Sequence, residues 1–259
     1  MTTTIALVGK GGVGKTTAAA LLIKLLSRKG AVLAIDADPS ANLNMALGLP
    51  LTDTVGDVRE GMAAAVRQGR FDPGLAKQDY LELKIAEALV ESEGIDLLAM
   101  GRPEGPGCYC AANSMLRACI DRLGKSYDYV VIDCEAGMEH ISRQTTRDID
   151  ILLILSDPTI RGVTAAARMK GLIKELRTHV GRVGLVLNRA NAPLSPQVAK
   201  LIEEAGLELL ASIPDDAHVA ELEATGAPVT ELPETSPLKR GIVEIAQRLG
   251  LVEVETRVG

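Results

Sequence analysis

The residues with the clearest chemical purpose are Gly9-Lys10-Gly11-Gly12-Val13-Gly14-Lys15-Thr16-Thr17. They follow the apolar run Ile5-Ala6-Leu7-Val8 and open a helical stretch from Ala18 to Leu26, the strand-to-helix setting in which a phosphate-binding loop works. Without Cβ atoms at Gly11, Gly12 and Gly14, the backbone can adopt positive φ and turn its N–H groups toward phosphate oxygens at the positive end of the helix. Lys15 then reaches the β and γ phosphates, and the Thr16 hydroxyl ligates magnesium. Val13 and Thr17 complete the contacting stretch. The same letters fit Gly-x-Gly-x-x-Gly, read as Gly9, Gly11 and Gly14, with Asp36 at the distance from which a dinucleotide fold holds a ribose. Lys15-Thr16 directly after the last glycine favours the nucleoside triphosphate, because a dinucleotide site has no use for a lysine and a hydroxyl aimed at a terminal phosphate.

Further carboxylates close the apolar runs that follow. Asp36-Ala37-Asp38-Pro39-Ser40-Ala41-Asn42 comes after the second run, at the kind of strand end where open α/β sheets bind ligands. Tyr129-Val130-Val131-Ile132-Asp133 is a Walker B pattern, whose aspartate holds magnesium directly or through a water. Gly137, shortly after it, lets its loop swing when a γ-phosphate is bound or lost. Cys134 reads as a small buried apolar residue. Val186-Leu187-Asn188-Arg189 ends a later run with an amide whose donor and acceptor can match an adenine edge. Ser156-Asp157-Pro158-Thr159 reads as a turn and helix cap.

Cys108-Tyr109-Cys110 follows Arg102-Pro103-Glu104-Gly105-Pro106-Gly107 and precedes a helical stretch from about Ala112 to Leu123. Two thiols at a helix N-terminus have a lowered pKa and favour the thiolate that binds metal. One such pair supplies half of a tetrahedral soft-metal site, and a two-fold dimer would bring a second pair to the same point. His140 reads either as an auxiliary metal ligand or as a histidine at a helix start.

These groups need a scaffold, and the alternation of apolar β-rich runs with helical stretches predicts one. Strands are expected at 4–9, 31–36, 95–100, 128–133, 150–156, 182–188 and 207–213, in a mostly parallel sheet flanked by helices. The last helix is expected near Leu238 to Leu249. A single α/β domain over 1–259 follows, with an insertion at about 53–93 and the Cys-x-Cys loop at about 101–111. Within the insertion, helices are expected from Val55 to Gln68 and from Tyr80 to Glu91. With 259 residues and 47% hydrophobic content, one core can bury roughly three quarters of the unfolded surface.

A net charge of −6, one Phe, no Trp and four Tyr argue against nucleic acid or an anionic membrane as partner. The start Met1-Thr2-Thr3-Thr4 leaves no room for a signal peptide and no apolar run reaches spanning length, so the expectation is cytoplasmic. There the four cysteines, Cys108, Cys110, Cys119 and Cys134, are expected as thiols or metal ligands.

Lys10, a second lysine inside the glycine loop, resembles the deviant Walker A motif shared by the nitrogenase iron protein, the division and partition ATPases, and the arsenite and tail-anchor ATPases. The resemblance implies a P-loop ATPase in which Lys10 crosses a dimer interface to the partner's ATP. It also implies that Asp38 orients the attacking water, that Asp36 supports the magnesium shell, and that the loop Ile213-Pro214-Asp215-Asp216 packs on the adenine, with Pro214 and Asp215 as the binding residues. Gly-Cys-Tyr-Cys together with Asp133-Cys134-Glu135-Ala136-Gly137-Met138-Glu139-His140-Ile141-Ser142-Arg143 narrows it. Over nearly the whole chain the sequence resembles the CooC-type carbon monoxide dehydrogenase maturation ATPases. That family implies an ATP/ADP- and metal-dependent homodimer, nickel or zinc at Cys108 and Cys110, and an apo-carbon monoxide dehydrogenase or acetyl-CoA synthase client. Tyr109 departs from members with proline between the cysteines. Two other readings stay open: an iron-sulfur ATP-dependent reductase and a positioning ATPase. The stretch Val252-Glu253-Val254-Glu255-Thr256-Arg257 is too acidic for the basic face or basic amphipathic tail that a positioning ATPase calls for.

Overall fold

The structure is a computed structural model that describes residues 1–70, 74, 76–101, 118, 120–136, 148–173 and 179–253. Eight strands form one sheet: β1 (Thr3–Gly9), β2 (Val32–Asp36), β3 (Val90–Ser92), β4 (Ile95–Ala99), β5 (Tyr129–Asp133), β6 (Asp148–Ser156), β7 (His179–Leu187) and β8 (Glu208–Ser212). Their order across the sheet is β3-β4-β2-β5-β1-β6-β7-β8. Every pairing is parallel except that of β3 with β4.

The helices α1 (Lys15–Leu26), α2 (Leu43–Leu47), α3 (Val55–Arg67), α4 (Lys77–Ala88), α5 (Ile160–Ile173), α6 (Pro196–Glu204), α7 (Ala217–Thr225) and α8 (Pro237–Arg248) cover both faces. Alternate residues of β1 enter separate cores. Ile5 and Leu7 join the cluster under α1 and α8, while Ala6 and Val8 join the one that includes Val55, Ile85, Val163 and Val198. A strand buried on both sides has no polar face, which is why β1 and β2 read as unbroken apolar runs.

The expected architecture is the observed one, with strand ends shifted by a few residues. One element differs: the helix expected to run from Tyr80 to Glu91 stops at Ala88, and Val90–Ser92 forms β3. Ser92 pairs with Ile95 across Glu93-Gly94, and Gly94 has φ of 74°. A two-residue turn needs positive φ, so this glycine permits the hairpin that ends the helix. The α3 start is fixed by a reciprocal pair of hydrogen bonds between Thr54 and Asp57. Among the described residues, no helix is long and apolar enough to cross a membrane.

Candidate functional site

β1 lies between β5 and β6, so the chain turns from one half of the sheet to the other around it. The glycine loop leaves β1 at that point and runs into α1, the crevice where open α/β sheets take ligands. A cavity of about 490 Å³ opens there. Gly11, Gly12, Gly14, Lys15, Thr16, Thr17, Asp38, Asn188, Arg189 and Asp215 all line it. Of the loop glycines, Gly12 (φ 75°) and Gly14 (φ 90°) take the left-handed conformation, and Gly11 does not. Gly14 has a second constraint, because a Cβ there would sit 2.7 Å from Asn188 Nδ2.

Lys15 is buried, and its ammonium donates to the Lys10 carbonyl at 3.3 Å. The Lys10 side chain is exposed. Thr16 Oγ1 donates to Asp133 Oδ2 at 2.6 Å, while Asp133 Oδ1 is buried without a hydrogen-bond partner. Burial pushes the Asp133 carboxyl up to about 7, against the pull of the Thr16 hydrogen bond, with the nearby Asp36 charge adding to the rise. A buried carboxylate oxygen with no donor, beside a threonine hydroxyl, suits a hard cation that takes oxygen ligands. Cys134, next along, is fully buried and its thiol is pushed up by that burial.

Asp36 neighbours Asp133 in the β2–β5 register. Its two oxygens accept from the Asp38 N–H at 3.0 Å and the Leu43 N–H at 2.8 Å. Burial raises its carboxyl to about 6, partly offset by those two N–H groups. Asp36 therefore holds the ends of the loop that carries Asp38. Asp38 is half-buried, and its own Oδ1 accepts from Ser40 N–H at 2.8 Å. Later in the loop Ala41 has φ of 47°. The other non-glycine residue with positive φ among the described residues is Arg189, at 58° on the opposite side of the cavity. Such residues cost about 1–3 kcal/mol each and gather at functional sites.

Asn188 reaches back to the glycine loop: its Nδ2 donates to the Val13 carbonyl at 2.9 Å, and its Oδ1 accepts from Arg189 N–H at 3.0 Å. Each end of the amide keeps one further hydrogen-bonding position for a ligand. Val13 itself is buried behind the loop. Pro214 is exposed and does not line the cavity, whereas Asp215 does. Asp216, the last residue of that loop, lines it too, and Ala136, Ala217, Val219, Ala220, Glu223 and Leu238 complete the lining; of these, Ala217, Val219, Ala220, Glu223 and Leu238 were not expected there from the sequence. Asp216 preceding a helix is a legible capping signal. Its link to Ser236, twenty residues on, is not.

Cys108, Cys110, Cys119, Gly137 and His140 lie outside the described residues. Among those described, no group of three or more His, Cys, Asp or Glu residues is arranged to hold a metal ion.

A glycine loop between a central parallel strand and its helix, with a buried lysine and a carboxylate beneath the threonine, defines a P-loop nucleotide-binding protein. The model of the CobQ/CobB/MinD/ParA nucleotide binding domain matches residues 4–229, and the chain belongs to this family of P-loop ATPases. An uncharacterized ATP-binding protein of Methanocaldococcus jannaschii is 43% identical over 246 residues, covering 95% of this chain and 97% of that one. The carbon monoxide dehydrogenase accessory protein CooC of Rhodospirillum rubrum is 35% identical over 238 residues, covering 86% and 87%. Among solved structures, septum site-determining protein MinD of Pyrococcus horikoshii, complexed with Mg-ADP, superposes with a TM-score of 0.70. It is 23% identical and covers 96% of each chain, a likeness of fold.

Proposed function

We propose that this chain is an ATP-hydrolysing metallochaperone that inserts nickel into a carbon monoxide dehydrogenase or the related acetyl-CoA synthase complex. The observation that carries this reading is the 35% identity to the CooC accessory protein across 86% of the chain. By comparison, septum site-determining protein MinD of Bacillus subtilis is 28% identical over a similar span. The Cys108-Tyr109-Cys110 pair adds chemistry suited to a soft metal cargo, nickel or zinc.

In this reading the phosphates of ATP lie along Gly11 to Thr17, with backbone N–H groups and the Lys15 ammonium carrying their charge. Thr16 and Asp133 would hold magnesium, with Asp36 behind them, and that ion would neutralise charge developing on the transferred phosphoryl group. The Asp38 carboxylate orients the attacking water from a loop whose two ends are held by Asp36. The exposed Lys10 side chain serves the partner's nucleotide in a homodimer. Asn188, Arg189 and Asp215 bound the base end. The dimer brings two Cys-x-Cys pairs to one metal, so nucleotide and metal each stabilise the two-chain form by their differential affinity for it. The site of action is the cytoplasm.

The test is transfer itself. Anaerobically purified protein loaded with one nickel per two chains should activate a nickel-free dehydrogenase only when ATP is hydrolysed. Cys108→Ser and Cys110→Ser should each abolish loading and activation while ATP binding persists. Activation that proceeds equally with both thiols replaced, or a full ion on each monomer, would overturn the proposal.

A further inference from the structure

We infer that Asp216 is a positioning residue for the nucleobase: its buried carboxylate fixes the helix that walls the base end of the cavity. It thereby sets affinity for the base rather than for the phosphates. The inference rests on ATP occupying this cavity, as proposed above.

Two helices near the base end are anchored unequally. α7 contributes Ala217, Val219, Ala220 and Glu223 to the cavity wall, yet none of its nine residues is buried. Val219 and Leu222 touch the core only from half-buried positions. Helices in folded proteins are held mainly by a packed apolar face, and α7 lacks one. α8 is the opposite case. It buries Leu238, Gly241, Ile242, Ile245 and Ala246, and Gly241 lies so near the sheet that a Cβ would stand 2.5 Å from Ile213 Cδ1.

Asp216 joins the loose helix to the fixed one. Oδ1 accepts from His218 N–H at 3.1 Å and lies 3.1 Å from His218 Nδ1, which ties it to the first turn of α7. Oδ2 accepts from Ser236 Oγ at 2.5 Å and from Leu238 N–H at 3.3 Å, at the start of α8. Ser236 is fully buried and itself accepts from Lys239 N–H at 3.0 Å, so the anchor is a capped helix end. Asp216 is 7% exposed. Burial works against its ionisation, but the hydrogen bonds from Ser236, Leu238 and His218 outweigh it and hold the carboxyl below its ordinary range. Leu238 also lines the cavity, so the carboxylate spans two pieces of one wall. None of these hydrogen bonds reaches the phosphate loop.

The test compares two ligands that share phosphates and differ in the base. ATP and inorganic tripolyphosphate, each with magnesium, are measured by competition binding on the wild type, Asp216→Ala and Asp216→Ser. Serine still caps α7 but offers one oxygen where the carboxylate has two, so it separates capping from the link to α8. The expected result is ATP weakened about tenfold in both variants, with tripolyphosphate affinity unchanged. Wild-type ATP affinity in Asp216→Ser would overturn the inference, as would equal weakening of both ligands. If the wild type holds ATP no better than tripolyphosphate, the base end is not a base site. The ATP reading then fails together with the inference, whatever the variants do.

Discussion

At the phosphate end of the cavity the working groups hang from three adjacent central strands, β2, β5 and β1, and two of them are carboxylates buried almost completely. At the base end they belong to the turn after β7, the turn after β8 and a helix with no buried residue. The first is held by the sheet itself. The second is held by a few hydrogen bonds between loops, chiefly those of Asn188 and Asp216. The contrast assigns them different tasks: phosphoryl chemistry needs charges fixed within fractions of an ångström, while a base needs only a wall at the right spacing.

Substitutions at the two ends should therefore separate. The largest loss is expected from Lys15→Ala, with hydrolysis reduced by about 10²–10³-fold and ATP affinity reduced with it, read by phosphate release and calorimetry. Asp38→Asn should lower turnover by a comparable factor and leave ATP affinity within about twofold, because it acts on the water and not on the phosphate cradle. Equal loss of affinity would remove that distinction. Gly14→Ala should cost about 1–2 kcal/mol from backbone strain alone, with more from contact with Asn188 Nδ2. It breaks the seam between the two ends, so affinities for ATP and for tripolyphosphate should both fall. Asn188→Ala should destabilise the nucleotide-free protein by about 1–3 kcal/mol, because the Val13 carbonyl loses its donor, as thermal melting would show.

A smaller effect concerns pH. Asp36 and Asp133 have carboxyls raised to about 6 and about 7 by burial, so between the ordinary carboxylate value and these values the folded chain holds more protons than the unfolded one. Stability of the nucleotide-free protein should fall as pH rises through that window and level off above it. Asp133→Asn should flatten the profile of melting temperature against pH between 4 and 8. An unchanged slope would show that these carboxylates are not what the sheet end protonates.

Much of the phosphate end was legible because it is local. Nine consecutive residues carry the loop, and Asp133 closes an apolar strand in one unbroken run. The strands were legible for a related reason, since burial on both faces leaves continuous apolar stretches. Val90–Ser92 escaped because three residues after a helical run show no period, and only the Gly94 turn distinguishes them. The sequence marks Asp36 as a carboxylate at a strand end. It does not reveal that both oxygens are engaged by Asp38 and Leu43, a matter of how the loop folds back. Asp216 and Ser236 meet only because α7 and α8 start at the same place in space, and no short-range pattern encodes that.

The short antiparallel strand β3 also bears on how copies of this chain can meet. An open sheet edge with unpaired backbone groups recruits a further strand and seeds fibrous association. Here the edge is three residues long, with Glu91 and Ser92 exposed, and it is followed directly by the exposed Glu93-Gly94 turn. Edge-to-edge addition of two copies would bring carboxylates of the same sign together and offer few backbone groups in return. Among the described residues, a margin this short and acidic gives the strand of a second copy little to pair with.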